Sequence, residues 1–170
     1  LYGLARDCGF DQVLYGMVGS RHAKLENAFL RSNYSSEWRD RYDSDKLAYV
    51  DPTVSHCLSS TLPIVWKPDT FRAPAQRELY EEACGYGIRT GVTFPIHGPN
   101  GEFGLISFAS DAAPGVGAAR ALDHVLPSLA LIRDYAFQSA SGFCADSVQA
   151  DVPPRLTRRE LEVLTWAMAG

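Results

Sequence analysis

Between Asn33 and Tyr42 the chain reads Asn-Tyr-Ser-Ser-Glu-Trp-Arg-Asp-Arg-Tyr, and Tyr49-Val50-Asp51-Pro52-Thr53 follows shortly after. A phenol donates or accepts a hydrogen bond, an indole N–H only donates, and a carboxylate only accepts. Set in an apolar wall, such groups can hold the carbonyls and the amide N–H of one small ligand at the same time. Tyr34, Trp38 and Tyr42 are spaced four apart, so a helix starting near Ser35 or Ser36 would present them as one stripe. Asp51 lies between Val50 and Pro52, and a carboxylate kept from water must find donors or take up a proton. Each residue also has a plainer reading. The aromatic stripe is ordinary core material, Asp51 can cap a helix that opens with Pro52, Ser107 and Trp66 can be a satisfied strand hydroxyl and a packing residue, and Arg39 a solvated helix charge.

The elements that must position these residues alternate short strands with helices. Gln12 to Val18 is rich in large apolar residues, and Asn27 to Arg31 reads as a shorter strand. Gly91 to Ala109 reads as a hairpin whose turn, Pro99-Asn100-Gly101, predicts a type I′ geometry from Asn-Gly. On its second strand Phe103, Leu105 and Ser107 share one face, and Gly104, Ile106 and Phe108 the other. Pro74 to Tyr86 predicts a helix. Ala118 to Ser139 predicts a longer one, with Leu122, Val125, Leu126, Leu129 and Ile132 on its apolar side and a kink at Pro127. Two strands, helices, three strands and a helix give an α+β chain with a sheet sandwiched by helices.

Composition narrows the function classes. At 170 residues, 46% hydrophobic and 21% charged, the chain can bury one substantial core. Its formal net charge of −4 lacks the basic footprint of a nucleic-acid-binding domain. No apolar run approaches spanning length and no signal peptide opens the chain, which predicts a cytoplasmic protein without a membrane role. Cys8, Cys57, Cys84 and Cys144 show no paired spacing and read as buried thiols. Leu1 to Ala5 begins as though inside a helix and without Met, so further N-terminal residues are expected. After Asp151-Val152-Pro153-Pro154, Thr157 and Glu160 have the spacing of a capping box.

The spacing Y-x3-W-R-x2-Y-x8-DPT resembles the autoinducer-binding domain of LuxR-type quorum-sensing regulators, most closely its LasR-like branch. Further matches run through His56-Cys57, Leu62 to Trp66, Glu81-Glu82-Ala83, Gly91 to Gly98, Gly101 to Gly104, Ser107 and Val125-Leu126-Pro127. The resemblance implies an α/β/α sandwich with a central five-stranded antiparallel sheet. It implies a binding domain over 1–145, a linker over 146–155, and over 156–170 the truncated start of a helix-turn-helix DNA-binding domain. It also implies an N-acyl-homoserine lactone as ligand, no cofactor or metal, a homodimer, and DNA contact through the missing C-terminal domain only. Carried over by position, Trp38 donates to the lactone carbonyl, Asp51 accepts from the amide N–H, and Tyr34 donates to the amide carbonyl with Ser107 nearby. Thr53, Thr93, Trp66, Phe71 and Leu79 close the head-group side. Leu14, Gly16, Ala28, Leu30, Tyr42 and Val54 line the acyl side, with Ile88 and Phe103 completing the wall. Arg39 reaches a 3-oxo group through water. Leu25 and Phe71 stand where the family pattern tends to have Tyr, which makes this pocket more apolar.

Two other readings use the same residues. A hydrolase of acyl-homoserine lactones or similar amides would take Cys57 as nucleophile, but adjacent His56 points elsewhere on any regular element and cannot be its base. The scattered histidines His22, His56, His97 and His124 do not have metal-ligand spacing. An orphan regulator with a vestigial pocket would act through a protein partner. For the dimer, the sequence points to the long helix, with Leu129, Arg133 and Tyr135 at the interface and Arg133-Asp134 as a self-complementary charge pair.

Overall fold

The computed structural model describes residues 1–20, 22–147, 157, 159 and 166. Five strands form one antiparallel sheet in the order β2-β1-β5-β4-β3: β1 Gln12–Val18, β2 Phe29–Ser32, β3 Ile64–Val65, β4 Thr90–His97 and β5 Phe103–Ser110. Helices α1 Tyr2–Asp7 and α5 Val116–Ser147 cover one face. Helices α2 Ser36–Ser44, α3 Pro52–Ser59 and α4 Pro74–Gly85 stand over the other.

The two-residue period of each strand divides the molecule into a solid side and a hollow side. Val13, Tyr15 and Met17 of β1, Val92, Phe94 and Ile96 of β4, and Ile106 and Phe108 of β5 pack with Ala5 of α1 and Leu122, Leu129 and Ala140 of α5 in one core. The opposite faces carry Leu14, Gly16 and Val18, Thr93, and Phe103, Leu105 and Ser107. In register, Leu14 stands beside Ser107 and Ser107 beside Thr93, while Gly16 lies between Leu30 and Leu105.

Helix starts follow from local chemistry. The Ser35 hydroxyl accepts from the Trp38 N–H at 3.1 Å and caps α2, satisfying one of the orphan donors of a first turn. Asp51 caps α3, with Pro52 at the first helical position. The Gln76 side chain accepts from the Ala73 N–H at 3.1 Å at the start of α4.

Several expectations are corrected. The second strand is Phe29–Ser32, because Leu25–Asn27 forms a turn of 3₁₀ helix in its place. The hairpin turn is not type I′. Gly101 alone has positive φ in the loop, at 91°, and the Gly101 N–H bonds Gly98 O at 3.2 Å. Pro99 fixes a negative φ at the first central position, which suits an ordinary turn closed by a left-handed glycine. The last helix is Val116–Ser147 and not Ala118 to Ser139, with Pro127 inside it. Tyr34 precedes the Ser35 cap and so is not on the helix that carries Trp38 and Tyr42. Of the described cysteines, Cys57 is buried but Cys8 and Cys84 are half-buried.

The interface residues also need correction. Leu129 is fully buried in the core against the sheet, so it belongs to the helix's own apolar stripe. Arg133 pairs within the chain with Asp134 at 2.9 Å and lies 5.9 Å from the Phe94 ring centroid. Tyr135 does stand exposed, and Leu4 and Leu131 stand exposed beside it along the groove between α1 and α5. The Thr157–Glu160 capping box and the helix-turn-helix start lie outside the described residues.

Candidate ligand-binding site

A cavity of about 150 Å³ lies between the hollow face of the sheet and helices α2, α3 and α4. Tyr34, Trp38, Arg39, Tyr42, Asp51, Thr53, Trp66 and Ser107 bring polar groups to its wall. Leu14, Gly16, Ala28, Leu30, Val54, Phe71, Leu79, Ile88 and Phe103 line the rest. The structure therefore gathers residues from Leu14 through Ser107. Thr93 is the exception among the expected set. It is fully buried one layer behind the wall, where it holds Trp66 and Ser107.

Asp51 is the helix cap of its plainer reading, and it also lines the cavity. Its Oδ1 accepts from the Thr53 N–H at 2.8 Å and from the Thr53 hydroxyl at 2.7 Å. Its Oδ2 accepts from the Tyr42 hydroxyl at 2.9 Å. A carboxylate oxygen carries two lone-pair sites, so Oδ2 retains capacity toward the cavity. Burial raises the Asp51 carboxyl above the ordinary carboxylate range, opposed by the hydrogen bonds from Thr53, Tyr42 and the Val54 backbone.

Tyr34 is the opposite case. Its hydroxyl is enclosed and, among the described residues, has no hydrogen-bond partner. Burial first, and then the Asp51 charge, push its ionisation well upward, so it stays a neutral O–H donor. Tyr42 is likewise raised by burial and by Asp51. An unsatisfied buried hydroxyl costs about 1–3 kcal/mol. In a native fold such an atom calls for an explanation, and here it stands at a cavity wall.

On the sheet side a relay of hydrogen bonds runs from Trp66 to Ser107. Trp66 lies across β4 over Gly91, with ring carbons 2.9 Å from where a Cβ would stand, so any side chain there would displace the indole. From this seat the Trp66 Nε1–H donates to Thr93 Oγ1 at 3.0 Å, and Thr93 Oγ1 lies 2.8 Å from Ser107 Oγ. The indole can only donate. Either hydroxyl can donate in the Thr93–Ser107 contact, and the arrangement in which Thr93 donates to Ser107 leaves the Ser107 proton for the cavity.

The remaining wall is ordered by rings and one ion pair. Trp38 packs at 5.8 Å from Tyr42 and 5.4 Å from Tyr86 between ring centroids. Phe71 stacks on Tyr80 at 4.8 Å, and the Tyr80 hydroxyl donates to Arg89 O at 2.7 Å. Arg39 pairs with Asp43 at 2.6 Å and lies 5.1 Å from the Tyr42 centroid, so it is not simply a solvated charge.

Sequence reasoning missed Met17, Val18, Asp43, Ala48, Tyr80, Ala83, Gly104 and Leu105, and singled out Leu25 without assigning it to the wall. The two-residue period places Val18 with Gly16 and Leu105 with Ser107, and Ala83 is one helical turn from Leu79. Tyr80 and Ala48 carry no such signal, since only the tertiary fold turns them inward.

Cys57 is not arranged as a nucleophile. It is fully buried, burial pushes its thiol up to about 12, and the His56 ring is engaged by Leu62 O at 2.9 Å. Reactive cysteines need the reverse, a depressed pKa and access. Among the described residues no cluster of His, Cys, Asp or Glu could hold a metal ion, and no helix is long and apolar enough to cross a membrane.

An antiparallel sheet with one solid and one hollow face, closed over a cavity by helices, defines a small-molecule-binding domain. Residues 1–140 match the family described as the autoinducer binding domain, and the chain belongs to that family, whose LuxR-type members are transcription regulators and not enzymes. The chain is 29% identical over 170 residues to the transcriptional activator protein VanR of Vibrio anguillarum, covering 100% of this chain and 70% of VanR. It is also 29% identical over 171 residues to AhyR of Aeromonas hydrophila, covering 95% of this chain and 63% of AhyR. Among solved structures, SdiA in complex with octanoyl-rac-glycerol superposes with a TM-score of 0.67 at 22% identity, over 98% of this chain and 66% of SdiA. CepR2 from Burkholderia cenocepacia, an N-acylhomoserine-lactone-dependent LuxR-family factor, gives 0.65 at 21%, over 86% of this chain and 81% of CepR2.

Proposed function

We propose that the cavity binds an N-acyl-homoserine lactone, and that the chain is the cytoplasmic sensor part of a homodimeric transcription regulator whose DNA contacts lie in a further C-terminal domain. The observation that carries this reading is the enclosed Tyr34 hydroxyl without a partner, set in one cavity with the Asp51 carboxylate, Trp38 and Ser107. Two hydroxyl donors, an indole donor and one acceptor suit a ligand with several carbonyls and one amide N–H. Tyr34 donates to the amide carbonyl with Ser107 beside it, Asp51 Oδ2 accepts from the amide N–H, and Trp38 donates to the lactone carbonyl. Arg39 reaches a 3-oxo group through water. The apolar end, over Gly16, Ala28, Leu30 and Phe103, takes the acyl chain. Exposed Leu4, Leu131 and Tyr135 along the α1–α5 groove support a dimer formed on that side.

SdiA's octanoyl-glycerol complex favours a second reading, an acylglycerol ligand, which has an ester carbonyl and hydroxyls but no amide N–H. Titration with octanoyl-homoserine lactone and octanoyl-glycerol side by side separates them. The lactone reading requires tighter lactone binding that weakens in Asp51→Asn more than acylglycerol binding does. Equal binding of both, unaffected by that change, contradicts it.

A further inference from the structure

We propose that Gly16 sets how far an acyl chain can extend in the cavity, an inference that rests on the site being one for acyl-bearing ligands. The cavity-facing positions of β1 and β5 form three rows along the strands. Leu14 pairs with Ser107, Gly16 with Leu105, and Val18 with Phe103, and all six line the same cavity. From Ser107 to Phe103 is four residues, about 14 Å at the antiparallel rise. The polar groups stand at the Ser107 end, so an acyl chain must cross the middle row to reach the space bounded by Val18, Leu25, Ala28 and Phe103.

The middle row holds the one residue without a side chain. Gly16 is flanked by Leu30 on β2 and Leu105 on β5, and a Cβ built on it would come within 3.0 Å of Leu30 Cδ2. That contact is tighter than close-packed carbon atoms adopt at rest. Leu30 would have to shift, and Leu30 itself lines the cavity. A side chain at position 16 therefore narrows the passage by its own atoms, and by those of Leu30 when that side chain is pushed inward. The φ of Gly16 is not in the left-handed region and a strand accepts β-branched residues, so the backbone alone does not demand glycine. What the position needs is the empty space.

The test compares butanoyl-, octanoyl- and dodecanoyl-homoserine lactone on the unaltered chain, Gly16→Ala and Gly16→Val, by calorimetry or Trp fluorescence. Each methylene buried beyond the middle row strengthens binding about fourfold. The octanoyl-to-butanoyl affinity ratio should accordingly fall roughly tenfold or more in Gly16→Val, and by less in Gly16→Ala, where a small rotation of Leu30 suffices. Adding Leu30→Ala to either variant should restore the ratio. Equal loss at every chain length, an unchanged ratio, or no recovery with Leu30→Ala would overturn the proposal. Should Gly16→Val not fold, Gly16→Ala with and without Leu30→Ala decides. Failure of the unaltered chain to bind any lactone would overturn the lactone reading separately, and the same ratio on butanoyl- and octanoyl-glycerol then decides Gly16.

Discussion

Tyr34→Phe should act with opposite signs on the empty and the occupied domain. Among the described residues the Tyr34 hydroxyl is enclosed without a protein partner, so removing it in the absence of ligand should relieve an unsatisfied group worth about 1–3 kcal/mol. At about 2–4 °C per kcal/mol for a chain of this size, the empty variant should melt a few degrees above its parent. On the proposed reading the same hydroxyl donates to the ligand's amide carbonyl in the occupied protein, and its loss would strand that carbonyl at a similar cost. The two effects add to about 2–6 kcal/mol in the binding free energy, so affinity should fall by roughly thirtyfold or more. Thermal melts with and without octanoyl-homoserine lactone, together with a titration, measure all three quantities. Loss of stability in the empty variant with unchanged affinity would show Tyr34 to be a packing residue and refute the reasoning.

Asp51→Asn tests the other anchor. Burial raises the folded-state pKa of Asp51 above its unfolded value, so its ionisation favours the unfolded chain. Its contribution to stability is largest below the unfolded value, falls as pH rises through the raised value, and is flat beyond. The empty Asp51→Asn domain should thus be no less stable than the parent near neutral pH in denaturant titrations, while lactone affinity falls about tenfold. Trp38→Phe should strand the lactone carbonyl and cost about 1–3 kcal/mol in the same titration. Saturation with ligand at a hundred times its Kd should stabilise the domain by about 2.7 kcal/mol, and equal melting temperatures with and without it would count against the coupling of ligand and fold. On the opposite face, Tyr135→Asp with Leu131→Asp should shift sedimentation from dimer to monomer without unfolding. Leu129→Asp, which puts a charge into the core, should instead unfold the chain at a cost of several kcal/mol.

The polar half of the candidate site was legible through the resemblance, which carried Tyr34, Trp38, Asp51 and Ser107 over by position, whereas residue type and spacing alone left them readable as core aromatics, a helix cap and a strand hydroxyl. Trp38 and Tyr42 are one helical turn apart, and Asp51-Pro52 combines a helix cap with a carboxylate in an apolar setting. Strand alternation put Ser107 on one face with Phe103 and Leu105 but did not by itself assign that face to a site. Thr93 shows the limit of such patterns, since the strand period gives its face but not that the Trp66 indole would lie between it and the ligand space. The hairpin turn was misjudged because Asn100-Gly101 suggests positive φ at both residues, whereas Pro99 one step earlier sets the turn type. Leu129 was misplaced because a helix that runs from Val116 to Ser147 lies over the sheet for much of its length, so its buried stripe extends farther than one apolar face suggested. Tyr80 and Ala48 reach the wall through packing between elements distant in sequence, which no local period records.

The central claim is tested most directly by what the domain carries out of a cell. The chain should be expressed in medium containing a mixture of acyl-homoserine lactones and acylglycerols, purified, and extracted into organic solvent for mass spectrometry. The account predicts an intact acyl-homoserine lactone, close to one per chain, and its loss from a folded Tyr34→Phe, Asp51→Asn double variant. A folded domain that carries no lactone, or that yields ring-opened or deacylated product, would contradict it.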